Sequence, residues 1–288
     1  MLRIARILFP VDFSDRCALI GGRVKALAEH FQAVVVLLYT LEPLPAHVAA
    51  LDMTPLIPET TAALKESARA EVERFLKKEF SHLSVRRVLA EGFAAEVIVQ
   101  HSHALQTDLI LMPTRGLGAF RRYIIGSVTA KVLHDADCPV WTGVHHELAP
   151  HVWTELLHVV CAVDLGPQSV KALAWAFGFA SQWQAKLTLL YVAPALEPVP
   201  GQYFNPDWRI PFMSATREEL QKIRDSVGAD CEIHVETGEA AKTVVATAAA
   251  LKADLLVIGR SPHDGLVGRL RANAYAIITQ SPCPVVSV

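Results

Sequence analysis

Leu8-Phe9-Pro10-Val11-Asp12 and Val160-Cys161-Ala162-Val163-Asp164 are two apolar runs that each stop at an aspartate, 152 residues apart. A short continuous apolar run is the pattern of a strand covered on both faces, as in a parallel sheet. Other landmarks repeat with the pair. Leu38-Tyr39 recurs as Leu190-Tyr191 at the same offset, and Asp108-Leu109 recurs as Asp254-Leu255 after 146 residues. Cys138-Pro139-Val140 recurs as Cys283-Pro284-Val285 after 145. Landmarks in one order at nearly one spacing identify an internal duplication. The offset falls from 152 to 146 between Tyr191 and Gly238, so the second copy is shorter there. The polar stretch His145-His146-Glu147-Leu148-Ala149-Pro150-His151 reads as the linker, which gives expected domains over 1–146 and 153–288.

Each half alternates strand and helix. In the first, Ile4 to Val11 reads as a buried strand, and Ser14 as the N-cap of a helix reaching about His30. Ala33 to Thr40 is a second apolar strand, followed by a Pro-rich loop and a charged helix from about Glu59 to Phe80. Val85 to Ala90, Ala94 to Leu105 and Asp108 to Met112 add strand, helix, strand; a helix from Ser127 and a strand from Val140 to Val144 complete the unit. Strands joined through helices make right-handed parallel crossovers with helices on both faces. The expected fold is α/β: two tandem, doubly wound, five-stranded parallel-sheet domains. Ligands of such sheets bind beyond the C-terminal strand ends, where the strand order reverses.

The chain has 288 residues, 52% hydrophobic and 19% charged, with a net charge of -2, enough apolar content for a sizeable core and no basic stripe for nucleic acid. The short apolar start before Asp12 does not read as a signal peptide, and Ala33 to Leu41 is far below the ~20 residues needed to cross a bilayer. Five scattered cysteines with no CxxC pair fit a reducing compartment, so a cytoplasmic protein is expected, with no membrane partner.

At the strand ends, Asp12 either accepts hydrogen bonds from a ligand's ribose or base, or caps the helix that follows. Met112-Pro113-Thr114-Arg115-Gly116-Leu117-Gly118 leaves the fourth strand, and Gly126-Ser127-Val128-Thr129 opens the next helix. Gly116 and Gly118 let backbone approach a ligand. A helix N-terminus at Gly126-Ser127 favours an anion, with hydroxyls from Ser127 and Thr129 and charge from Arg115, Arg121 and Arg122. No GxxxxGK[ST] is present, no GxGxxG follows the first strand, and no GxSxG elbow appears, so P-loop, dinucleotide and hydrolase readings fail.

On these residues the chain resembles a tandem universal stress protein, two UspA-type domains of adenine nucleotide alpha hydrolase-like fold. The resemblance implies an ATP site in the first domain, with Mg2+ accompanying the nucleotide. Asp12 matches the family's strand-end aspartate. Gly116, the nine residues Leu117 to Ile125, and Gly126-Ser127 match the phosphate motif, with Thr129 as the family's further hydroxyl. The implied nucleotide-binding set is Val11, Asp12, Thr40, Met112, Pro113, Arg115, Gly116, Gly118, Gly126, Ser127, Val128 and Thr129. Pro113 stands where the family has its first glycine. Proline fixes φ and removes an N–H. Either that N–H is needed and affinity falls, or the residue only shapes the turn and proline is tolerated. In the second copy Gly259 is kept, Pro262 replaces the second glycine, and Arg271-Ala272-Asn273 replaces the closing pair. The second domain is therefore expected not to bind ATP in the family manner. The family's last strands commonly pair between domains, which implies an intrachain pseudo-dimer, or a homodimer.

No nucleophile, metal pair or general base stands out, so no fast enzyme is expected. The alternatives are a slow ATPase using Asp12 or Ser127, and a non-binding dimerisation scaffold. His101 and His103 at i, i+2 make a poor chelate, and His145, His146 and His151 read as solvated linker residues. Glu66 to Lys78 reads as a solvated helix face, and Tyr203, Phe204, Trp208 and Phe212 as an aromatic segment that covers a pocket, lines an interface or packs over the sheet edge.

Overall fold

A computed structural model describes residues 2–43, 57–114, 125–143, 156–194, 209–260 and 272–288. The chain divides into two compact units, Arg3–Trp153 and Thr154–Val288, the second together with Met1–Leu2. The first unit contains β1 (Arg6–Val11), α1 (Asp15–Phe31), β2 (Val34–Leu41), α2 (Ile57–Arg74), β3 (Val85–Glu91), α3 (Ala94–Ala104), β4 (Leu109–Met112), α4 (Ser127–Asp135) and β5 (Val140–Thr142). Its strands are parallel and lie in the order β3-β2-β1-β4-β5. The second contains β6 (His158–Val163), α5 (Ser169–Trp183), β7 (Lys186–Pro194), α6 (Arg209–Val227), β8 (Glu232–Gly238), α7 (Ala240–Ala250), β9 (Leu255–Ile258), α8 (Ala272–Gln280) and β10 (Val285–Ser287). Its order is β8-β7-β6-β9-β10, again parallel. Both units are thus the expected doubly wound sheets.

The apolar runs form the central strands. Ile7, Leu8 and Phe9 of β1 and Leu109, Ile110 and Leu111 of β4 are fully buried, because helices cover both faces. Each such side chain contributes about 1.5–3 kcal/mol on burial. The outer strands β3 and β8 are half-exposed and carry Arg86, Arg87, Glu232 and Glu236, charges of the kind that keep a sheet edge from pairing further.

A carboxylate fixes where each central strand starts. Asp108 Oδ2 accepts the N–H groups of Ala5 (2.8 Å) and Arg6 (2.9 Å). Asp254 Oδ2 accepts those of Leu157 (2.8 Å) and His158 (2.9 Å). Arg6 donates to the carbonyl of Leu105, and His158 Nδ1 lies 3.0 Å from the equivalent carbonyl of Leu251. Strand starts and helix ends are therefore tied in the same way in both copies.

The charged helix differs from its sequence reading. α2 stops at Arg74 instead of reaching Phe80. Leu76 takes a left-handed φ of 52°, and Arg87 Nη1 reaches across from β3 to the carbonyls of Val72 (2.5 Å) and Phe75 (2.7 Å). These bonds satisfy helix-end carbonyls and close the last turn. Phe75 and Phe80 then pack edge-on and tilted against Phe13 (5.5 Å) and Phe9 (6.5 Å), tying the segment to β1. Phe212 falls within α6, while Tyr203, Phe204 and Trp208 lie outside the described residues.

Candidate functional site

The switch in strand order lies between β1 and β4, so the residues just beyond these strands border the expected crevice. Val11, last in β1, is buried and pairs with Tyr39, and Thr40 follows half-buried on β2. Pro10 has no N–H to give a neighbour. The ladder to β2 runs on through Val11, but pairing with β4 covers only Ile7↔Leu109 and Leu8↔Ile110. In the second unit the corresponding residue is Ala162, and pairing with β9 continues through Cys161↔Val257 and Ala162↔Ile258. The first domain's two central strands therefore part earlier.

Asp12 organises the turn out of β1. Its Oδ1 accepts from Ser14 N–H (3.0 Å), Ser14 Oγ (2.5 Å) and the Cys17 thiol (3.0 Å). Ser14 Oγ in turn caps α1 by accepting from Cys17 N–H at 3.3 Å. The turn forces Phe13 to a left-handed φ of 60°, which stacks its ring on Tyr39 at 4.4 Å. Oδ2 of Asp12 makes no hydrogen bond among the described residues. The carboxylate thus braces the cap residue Ser14 instead of capping α1 itself, and keeps one oxygen for another donor. Cys17 is the partner that spacing alone did not reveal; burial, then the Asp12 charge, pushes its thiol pKa up, so it stays a neutral donor.

The two flanks of the glycine loop meet. Gly126 N–H donates to Thr114 O (2.9 Å), and the buried Thr129 Oγ1 donates to Pro113 O (3.0 Å). Met112 and Pro113 are buried at the end of β4, and Met112 O accepts from Gly143 N–H at 3.3 Å. At position 113 the group in use is the carbonyl, which proline retains. Gly126 is the N-cap of α4 at φ -59°, with no side-chain cap and no acidic residue in the first turn. Ser127 is exposed there and Val128 half-buried. First-turn N–H groups and the helix dipole at such an end favour an anion. Arg115, Gly116, Gly118, Arg121 and Arg122 lie outside the described residues.

The second copy keeps the turn and loses the tie. Asp164 Oδ1 accepts from Gly166 N–H at 2.8 Å, and Leu165 takes a φ of 59°. A Cβ on residue 166 would sit 2.8 Å from Asp164 Oδ1, whereas Ser14 holds the equivalent place in the first copy with its side chain turned to Asp12. Ala274, 145 residues after Thr129, has no hydroxyl to reach back to Gly259.

With two such sheets in one chain, a sequence model described as the Universal stress protein family matches residues 3–142 and again 156–288. The chain belongs to the universal stress protein family. A universal stress protein from Thermus aquaticus is 31% identical over 140 residues, which cover 46% of this chain and 94% of that protein. A universal stress protein from Mycolicibacterium smegmatis is 23% identical over 89% of this chain and 87% of its own length. Among solved structures, a universal stress protein from Archaeoglobus fulgidus superposes with a TM-score of 0.70 at 18% identity, covering 98% of this chain and 97% of that one. A functionally unknown protein from Pseudomonas aeruginosa gives 0.68 at 19% identity, over 99% and 92% of the two chains. Both share the two-domain fold.

The remaining candidates have local partners. His101 Nδ1 lies 2.8 Å from Val97 O within its own helix, and His103 pairs with Asp137 at 3.2 Å. His145, His146 and His151 lie outside the described residues. Among the described residues no group of three His, Cys, Asp or Glu could hold a metal ion, and no helix is long and apolar enough to cross a membrane.

Proposed function

We propose that this universal stress protein is a regulatory module whose first domain, 1–146, binds an adenine nucleotide, ATP, and whose second, 153–288, is a degenerate partner. The observation that carries this is the closed loop base: Gly126 N–H on Thr114 O and Thr129 Oγ1 on Pro113 O. These bonds hold the uncapped, acid-free start of α4 at the end of β4, beside β1, which Asp12 follows. Triphosphate oxygens would take the α4 N-terminus, Ser127 and the loop of Arg115, Gly116 and Gly118. Asp12 Oδ2 would take a ribose or base donor, with Val11, Thr40, Met112 and Val128 around it. Mg2+ would come with the triphosphate. Pro113 is compatible with this site because its carbonyl, not an N–H, is the group engaged. None of the five cysteines forms a disulfide, the pattern of a reducing, cytoplasmic setting.

The test is equilibrium binding of ATP to the full chain and to Gly126→Asp. The backbone of Gly126, φ -59° and ψ 147°, suits any residue, and Asp is a favoured N-cap; thermal unfolding of the variant checks that it folds. Its carboxylate occupies the helix N-terminus and repels the triphosphate, so affinity falls by more than about 100-fold, ~2.8 kcal/mol. Unchanged affinity rejects the site.

A further inference from the structure

The second domain holds a cavity of about 200 Å³ beyond the ends of β6 and β9. That is below the ~300–1,000 Å³ of pockets for drug-sized ligands, so its occupant is small. Ser169, the first residue of α5, lines it at 2% exposure, and its Oγ has no hydrogen-bond partner. A buried hydroxyl left unpaired is costly unless something binds it. The same helix start lacks compensation elsewhere. Gln168 makes no side-chain cap bond, and no acidic residue lies in the first turn. In the first domain the matching helix has both, Ser14 as cap and Asp15 in its first turn.

Two further features give the cavity a sign. α8 also begins at it, through Asn273 and Ala274, and has no acidic residue in its first turn. Arg260, buried to 4% exposure, is part of the lining. Two positive helix ends and a guanidinium border one small space. The carboxylate in its lining, Asp164, is exposed and accepts from Gly166 N–H on Oδ1.

We infer that this cavity is a binding site for a small oxyanion, a phosphate or a small carboxylate, with the Ser169 hydroxyl donating to it at the α5 N-terminus beside Arg260. The cavity is the second domain's copy of the crevice read as a nucleotide site in the first, since Asp164, Gly259 and Ala274 stand where Asp12, Pro113 and Thr129 do, and the α5 start that takes the anion is an element the glycine-loop motif does not include.

Calorimetric titration of the full chain with inorganic phosphate, and separately with acetate, tests it. Saturable binding of at least one is expected, unchanged in Gly126→Asp and weakened about tenfold in Ser169→Ala, the factor for ~1.4 kcal/mol. Tighter phosphate identifies a tetrahedral ligand, tighter acetate a carboxylate. Without anion, Ser169→Ala should unfold at the same or a higher temperature, since it deletes an unpaired hydroxyl, so weaker binding cannot come from misfolding. No saturation by either probe, equal affinity in Ser169→Ala, or loss of binding in Gly126→Asp overturns the inference. ATP binding by the first domain is read independently of all three outcomes.

Discussion

The turns after β1 and β6 share one backbone and diverge in what hangs from it. Asp12 and Asp164 each bond the N–H two residues on, at 3.0 and 2.8 Å, across left-handed residues Phe13 and Leu165 with φ of 60° and 59°. Beyond that, Ser14 caps its helix and Cys17 joins Asp12, whereas Gly166 offers no side chain and Ser169 is left unpaired. The loop ends differ likewise, with Thr129 tied to Pro113 and Ala274 lacking a hydroxyl. Duplication has kept the bonds that shape the sheet, such as Asp108 and Asp254 on their strand starts, and released those that shape the crevice.

The largest expected difference between the halves concerns proline. Ala162→Pro removes an N–H and adds a ring where the ladder to β9 still runs, and should cost about 3 kcal/mol or more. Pro10→Ala, where β4 has already parted from β1, should cost under ~1 kcal/mol. Denaturant unfolding of each variant measures this, and equal costs would break the contrast. Next come the shared devices. Gly92→Ala and Gly238→Ala place a side chain at φ 136° and 154°, with Cβ only 2.9 Å from Val97 Cγ2 and 2.4 Å from Thr243 Oγ1. Each should lose about 1–3 kcal/mol, and by similar amounts. Asp108→Ala and Asp254→Ala each strand two N–H groups and should cost about 1–3 kcal/mol apiece. A large effect in one half only would show that the copies do not share a framework.

A smaller effect is expected at Thr129. Thr129→Val removes one buried bond, costs about 1 kcal/mol, and weakens ATP binding by freeing the loop base, while Ala274→Val leaves ATP binding unchanged. Least is expected from the thiols. Burial raises the pKa of both Cys17 and Cys161, with the Asp12 charge adding to the first and Cys231 to the second. A raised folded pKa adds stability that is fully present below the unfolded thiol's range and is lost as pH climbs above it. Both residues should therefore resist alkylation at pH 8 in the native chain and react on unfolding; fast native modification of either would contradict the packing.

Much of this was legible in sequence because it follows from local pattern. Apolar runs such as Leu8 to Val11 marked central strands, Ser14 marked a cap, and the repeated aspartates marked the duplication. What escaped depends on residues far apart. Asp108 secures Ala5 and Arg6 across some hundred positions, and Arg87 ends α2 from another strand. Neither partner is visible from spacing. Pro10 looked like an ordinary member of an apolar run, and only strand pairing shows that it lets β1 and β4 part. Pro113 left open in sequence whether a lost N–H matters or the residue only shapes the turn, and the fold adds that its carbonyl is tied to Thr129. The second domain's motif read as loss, and its unpaired Ser169 beside a cavity had no sequence signal beyond a common helix-start serine.

The number of ATP molecules bound per full chain at saturation, measured by calorimetry, tests the central contrast most directly. At the ATP concentration that just saturates the parent chain, one is expected, with Gly126→Asp left almost empty and Ser169→Ala still binding one. Two per chain, or one that survives Gly126→Asp, would contradict it.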